Sequence, residues 1–210
     1  MNLLPTVYGL ALSLPLLIHG AEPFHVYAPS RTGEQLWVVR AQPLPDGSQV
    51  ALTVQSQVPI GFPAAIITQH PEQPLLYLSG ITGDPGEVPG ALCYLDEDSG
   101  QVERIERVKL QHGVCYLSVD RSHRFLLGVS YRGGQADVYQ LKEPDFRPRW
   151  VFGLDEGRKN AHSILLSPDN RFAYIPYVKD SNALHQYKFD PETGALSPLE
   201  KLDAGPPEGT

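Results

Sequence analysis

From Phe24 onward, the apolar residues of this chain fall into short runs, some alternating with polar residues and some continuous, separated by clusters of Pro, Gly, Asn and Asp. That pattern predicts short β-strands joined by tight turns. Strands are expected over residues 24–28, 35–40 and 50–58, with a hairpin turn at Pro45-Asp46-Gly47, and residues 63–68 lead into the stretch 71–78. Residues 90–95 are expected to pair with a strand that follows Asp98-Ser99-Gly100. Further strands are predicted at 114–119, 124–130, 135–140, 163–166, 171–175 and 183–189, and one more begins at Ala195-Leu196. Gly133-Gly134 and the stretch 190–194 read as turns. No segment sustains a 3.6-residue period between helix caps, so the fold class is all-β.

Three of these stretches read as copies of one pattern: residues 71–78, 120–129 and 168–175. Each is a polar turn followed by an apolar and aromatic run. Phe125 and Phe172 lie 47 positions apart, and Leu75 and Phe125 lie 50 apart. A strand-rich period of this size is the mark of β-propeller blades, each a sheet of about four antiparallel strands. A blade has two apolar faces and is stable only when it stacks on its neighbours. About three blades and fragments fit in residues 22–210, whereas closed propellers have about four to eight blades. The expectation is therefore a partial propeller, with residues 204–210 in a loop leading to a further blade.

The chain has 210 residues and a net charge of −7, with no basic stripe, so a nucleic-acid partner is not expected. Cys93 and Cys115 are too few for a disulfide framework and sit in apolar runs, where free buried thiols are expected; pairing would require their Cα atoms within about 7 Å. Residues 3–18 are apolar and uncharged, and Gly20-Ala21 follows them. Residues 1–21 are thus expected to be a signal peptide and the protein periplasmic or secreted; read as a plain extension, the same residues leave it cytoplasmic. The run is too short and too interrupted by Pro5 and Pro15 for a stable membrane span.

Several segments carry a resemblance to a known family. The hairpin Val129-Ser130-Tyr131-Arg132-Gly133-Gly134 through Tyr139 resembles a hairpin of the seven-bladed propeller lactonases. Ala161-His162-Ser163 through Arg171 is similar to the segment CHSANISPDNR of the 6-phosphogluconolactonases in that family, and residues 176–180 are similar to the PALKQD that follows there. The resemblance implies a propeller of about 315 residues at 45 per blade, of which this chain is a little over half, C-terminally truncated. It implies hydrolysis of 6-phosphogluconolactone, a carboxylic ester hydrolysis, with a sugar lactone as small-molecule partner; no cofactor is expected, and the full-length protein is expected to be a monomer. The same family includes carboxy-muconate cyclases; a non-catalytic propeller that binds a sugar or a protein at its mouth is the alternative of another class. Two departures stand out. Tyr116 occupies a position where the family pattern has His, and the family's GAGPRH and NE segments do not occur in the chain. Residues 22–210 alone are accordingly expected to be inactive.

Lactone opening requires a base for water, a donor for the developing oxyanion, and cations where the substrate is anionic. His162 is the catalytic candidate through its place in the resembling segment; its alternative is a His bonded to a neighbouring loop. Arg132 and Lys179 are candidate substrate-binding cations, each of which also reads as a solvated surface residue. Tyr131 is a third binding candidate, with packing as its alternative, and Asp180 either orients Lys179 or caps a turn. His70, His123 and His185 read as structural. No HxH, HExxH or Cys/His spacing suggests a metal site.

Overall fold

The computed structural model describes residues 22–179 and 181–199, which form 15 strands and no helix. The segment 1–21, Asp180 and residues 204–210 lie outside the described residues. The strands form four antiparallel sheets in chain order. The first is three-stranded: β1 (Phe24–Pro29), β2 (Gln35–Pro43) and β3 (Val50–Pro59). The second holds β4 (Ala64–Gln69), β5 (Leu75–Gly80), β6 (Val88–Leu95) and β7 (Val102–Leu110). The third holds β8 (Tyr116–Val119), β9 (Phe125–Val129), β10 (Ala136–Gln140) and β11 (Arg149–Leu154). The fourth holds β12 (Leu165–Leu166), β13 (Phe172–Tyr177), β14 (Ala183–Phe189) and β15 (Leu196–Pro198). Each sheet is a meander, and the first strands β4 and β8 of successive sheets lie against each other. This is the expected arrangement of propeller blades.

Packing between sheets explains the repeated pattern. In β5, Leu75 and Tyr77 face the third sheet, while Leu76 and Leu78 face the first. In β9, Leu126 faces the second sheet, while Phe125, Leu127 and Val129 face the fourth. These strands are buried on both sides. That is why they read as continuous apolar runs, whereas β13 and β14 alternate. The first sheet buries Leu36 against the second sheet, and among the described residues several apolar side chains of its other face are exposed. Val26 and Val54 flank Val39 across that face, and Phe24 and Leu52 flank Ala41. Leu52 is 67% exposed and Phe24 48%. Between internal blades the corresponding faces are covered by the next sheet.

Polar turns tie the sheets together at one end. Asp120 is buried; its carboxylate accepts the backbone N–H groups of Ser122, Arg124 and Phe125 at 2.7–3.0 Å and the Asn170 side-chain amide at 2.8 Å. Asn170 returns an acceptor to the Arg121 N–H at 3.0 Å, locking the third sheet to the fourth. Asn170 and His123 take left-handed φ values of 59° and 60°, conformations that let these turns reach across. His123 meets Glu72 at 3.1 Å and packs edge-on against His70, linking the third sheet to the second. The buried His70 Nδ1 accepts the Glu72 and Gln73 N–H groups, so its proton sits on the buried Nε2. His70 and His123, read from sequence as structural, are parts of this joint. Cys93 and Cys115 are free; Cys93 is buried and its thiol is pushed up to about 12 by burial, while Cys115 is half-buried.

Two predictions follow from the turn joint. Asp120→Ala orphans several buried amides, and urea unfolding is expected to show a loss of about 3 kcal/mol, with Asp120→Asn losing less. Burial holds the His70 pKa below its ordinary value, against the opposing pull of the His123 carbonyl and Glu72. A histidine whose folded pKa is lowered contributes stability that is complete above its unfolded pKa of about 6.5 and is lost as pH falls through the folded pKa. Melting temperature should therefore decline below about pH 6.5, and His70→Gln should flatten that decline. An unchanged pH dependence in this variant would refute the assignment.

Candidate functional site

At the other end of the sheets, residues from separate segments meet. The hairpin between β9 and β10 carries Tyr131, the link from β11 to β12 carries His162, and the hairpin between β13 and β14 carries Lys179. The rings of Tyr131 and His162 meet edge-to-face, with centroids 5.8 Å apart and planes at 81°. Lys179 Nζ lies 5.6 Å from the centroid of the same tyrosine ring. Tyr131 is thus the half-buried centre of the group, and His162 and Lys179 are exposed beside it.

The backbone fixes this arrangement. The Asn160 N–H donates to the Tyr131 carbonyl at 2.8 Å, drawing the β11–β12 link across the hairpin. The Val178 N–H donates to the Asn160 carbonyl and the His162 N–H to the Pro176 carbonyl, each at 3.0 Å, and Ala161 bridges Tyr177. Gly134 has a φ of 76°, and a Cβ there would overlap the Arg158 carbonyl, so this crossing needs glycine. Lys179 holds a φ of 59°, an uncommon conformation for a lysine. Below the crossing, the buried Tyr177 hydroxyl donates to the Gly134 carbonyl at 3.2 Å, and the Tyr187 hydroxyl donates to Glu156 at 2.6 Å.

Of the residues singled out from sequence, the structure brings together Tyr131, His162 and Lys179. Arg132 is exposed on the same hairpin and is placed in no contact with them. Tyr116, at the position of the family's histidine, is half-buried against the core between the third and fourth sheets. Cys115 neighbours the site: its Sγ lies 3.2 Å from the Ala161 carbonyl and 3.7 Å from that of His162. Burial pushes this thiol up, so it serves as packing and a weak donor rather than as a nucleophile.

One pair escaped the sequence reading. His112, on the link from β7 to β8, places Nδ1 2.9 Å from Oδ2 of Asp137 in β10. Asp137 is 1% exposed, and its carboxyl is pushed up by burial, against the pull of His112 and Trp150. His112 is partly exposed. A buried carboxyl of this kind orients an imidazole. The partners are separated by 25 positions, and only the pairing of sheets reveals them. Among the described residues, no group of three or more His, Cys, Asp or Glu side chains is placed to hold a metal ion, and no helix is long and apolar enough to cross a membrane.

The successive four-stranded meanders define the fold as that of a β-propeller. Residues 26–210 match the family described as Lactonase, 7-bladed beta-propeller, and the chain belongs to that family. Among similar proteins, a 6-phosphogluconolactonase of Enterobacter sp. (strain 638) is 26% identical over 176 residues, 83% of this chain and 50% of the relative. A 6-phosphogluconolactonase of Cronobacter sakazakii is 27% identical over 154 residues, 73% of this chain and 43% of the relative. The chain thus spans about half the length of the curated relatives it matches. The solved structure of a Pseudomonas aeruginosa periplasmic gluconolactonase superposes with a TM-score of 0.66 at 17% identity, covering 86% of this chain and 51% of that one, a likeness of fold.

The ring contacts predict a hierarchy of stability effects. Tyr131→Ala should cost about 1–2 kcal/mol in urea unfolding through loss of the aromatic and cation–π contacts. Tyr131→Phe, which keeps the ring, should lie within about 0.5 kcal/mol of the parent.

Proposed function

We propose that the protein is a lactone hydrolase, with 6-phosphogluconolactone as the substrate suggested by the names of its relatives. The observation that carries this reading is the convergence of His162, Tyr131 and Lys179 from three segments on two adjacent blades. Water attacks the lactone carbonyl while the His162 imidazole takes its proton. The ring C–O bond then breaks, the alkoxide is protonated, and a hydroxy acid leaves. Lys179 supplies positive charge for an anionic substituent, with Arg132 on the neighbouring hairpin as a second cation, and the Tyr131 ring provides a flat wall between base and cation. The apolar segment 3–18 supports export, and export favours an unphosphorylated sugar lactone over a cytosolic phosphorylated one. A lactonizing cyclase would use the same base and cations in the reverse sense.

Kinetics of the intact protein on phosphorylated and unphosphorylated gluconolactone test this reading. His162→Ala should lower kcat/KM by about 100-fold on the preferred lactone. Lys179→Ala should raise KM about tenfold for the phosphorylated lactone and leave the unphosphorylated one nearly unchanged. Equal rates for the parent and His162→Ala would remove His162 from the mechanism.

A further inference from the structure

The third sheet turns one face toward the second, and an outer corner of that face stays in water. Tyr139 of β10 packs into the core shared with the second sheet, so Asp137, two positions earlier, lies on the same face. Trp150 and Gly153 of β11 stand opposite Tyr139 and Asp137 and share it. The alternation along each strand brings Gln135 and Asp155 to this face as well, and the Gln135 amide donates to Asp155 at 3.2 Å. His112 reaches Asp137 from the same side. Trp150 is 51% exposed in the middle of this group.

The indole is held by one edge. A Cβ at Gly153 would stand 3.2 Å from Trp150 Cζ2, 3.7 Å from its Nε1 and 3.8 Å from Asp137 Oδ1. The missing side chain of Gly153 is thus the seat of the Nε1 edge, beside the buried carboxyl. Among the described residues no aromatic ring or cation stacks on the faces of this indole. A ring fixed in this way loses little freedom when a ligand lies on it. The groups around it are acceptors. A carboxylate only accepts, so His112 Nδ1 donates to Asp137 and Nε2 is left as an acceptor. The exposed Asp155 carboxylate accepts, and the Gln135 amide N–H is already given to it. The nearby cations are engaged: Arg158 meets Glu156 at 3.3 Å, and Arg149 meets Asp145 at 2.7 Å. An anion would find carboxylates here and no unspent donor. The ligand that fits has an apolar face for the indole and hydroxyl donors along its edge. A pyranose ring has both, since its axial C–H bonds present partial positive charge to the negative face of an aromatic ring.

We propose that this corner is a binding site for neutral saccharides, with one hexopyranose unit laid on Trp150 and its hydroxyl groups donating to His112 Nε2 and Asp155. The site is separate from the Tyr131 group, which sits where the third sheet joins the fourth, and it does not depend on the lactone chemistry assigned there.

Calorimetric titration of the intact protein with maltotriose and with cellotriose provides the test, with circular dichroism to confirm that each variant is folded. Saturable binding of at least one of these neutral trisaccharides is expected, with a Kd on the order of 1 mM. Trigalacturonate, which carries a carboxylate on every ring, should bind at least about tenfold more weakly. Trp150→Ala should weaken binding of the neutral sugar at least about tenfold and leave lactone turnover unchanged. Gly153→Val, which keeps the tryptophan and fills its seat, should weaken binding about fivefold, and Asp155→Ala about threefold. Asp155 is exposed, so its variant carries the test even where Trp150→Ala does not fold. Absence of binding by both neutral trisaccharides, unchanged affinity in Asp155→Ala or in folded Trp150→Ala, or trigalacturonate bound as tightly as the neutral sugars would each overturn the proposal.

Discussion

The structure depends on the burial of each internal sheet on both of its faces. A four-stranded meander of this size cannot fold alone, because covering one face leaves the other in water. β5 and β9 show the consequence most directly, since alternate side chains of one strand enter two different cores. Any large-to-small change in these strands acts on one interface while leaving the other intact. The same constraint explains the bare apolar rows of the first sheet and the exposed Leu165 and Leu184 of the fourth. These residues occupy positions that internal sheets fill against a neighbour.

Side-chain packing brings the sheets together, and the polar turns set their register. Asp120 and Asn170 exchange hydrogen bonds between equivalent turns of adjacent blades, and Glu72 and His123 do the same one blade earlier. Apolar contact is nearly isotropic and permits sliding, whereas a buried carboxylate with several amide donors accepts few positions. The turn residues therefore recur from copy to copy, because each copy has the same geometric task.

This division of labour accounts for what the sequence revealed. Strand positions and the blade architecture were legible because double-sided burial writes continuous apolar runs, and the turn joint writes a repeated polar motif before each run. β11 was not legible: it follows the Pro- and charge-rich stretch around Pro144, Asp145 and Pro148 without a clean turn signal, and after Arg149 its exposed positions carry no polar side chain to alternate with the apolar ones. Tyr131, His162 and Lys179 were legible through family resemblance alone. Their meeting depends on the Asn160 and Val178 hydrogen bonds and on the left-handed φ of Lys179, which no residue pattern announces. The His112–Asp137 pair was invisible for the same reason, since it forms between a link and a strand of different sheets.

The two ends of the sheets consequently have different freedom to vary. At the turn end, a change in one blade must be matched in the next, because the hydrogen bonds cross between copies. At the other end, the links and hairpins bond mainly through backbone atoms, as in the Asn160–Tyr131 and Val178–Asn160 contacts. A backbone hydrogen bond holds the chain without specifying the side chain. Tyr131, His162 and Lys179 sit at positions whose geometry is largely set by their neighbours' main chain, so their side chains are free to serve chemistry. The equivalent of His162 in the preceding blade, 47 positions earlier, is Cys115, whose thiol packs against the very segment that carries His162. One copy of the repeat supports the position to which the proposed mechanism assigns the base in the next, so a symmetric scaffold can present different side chains at equivalent places.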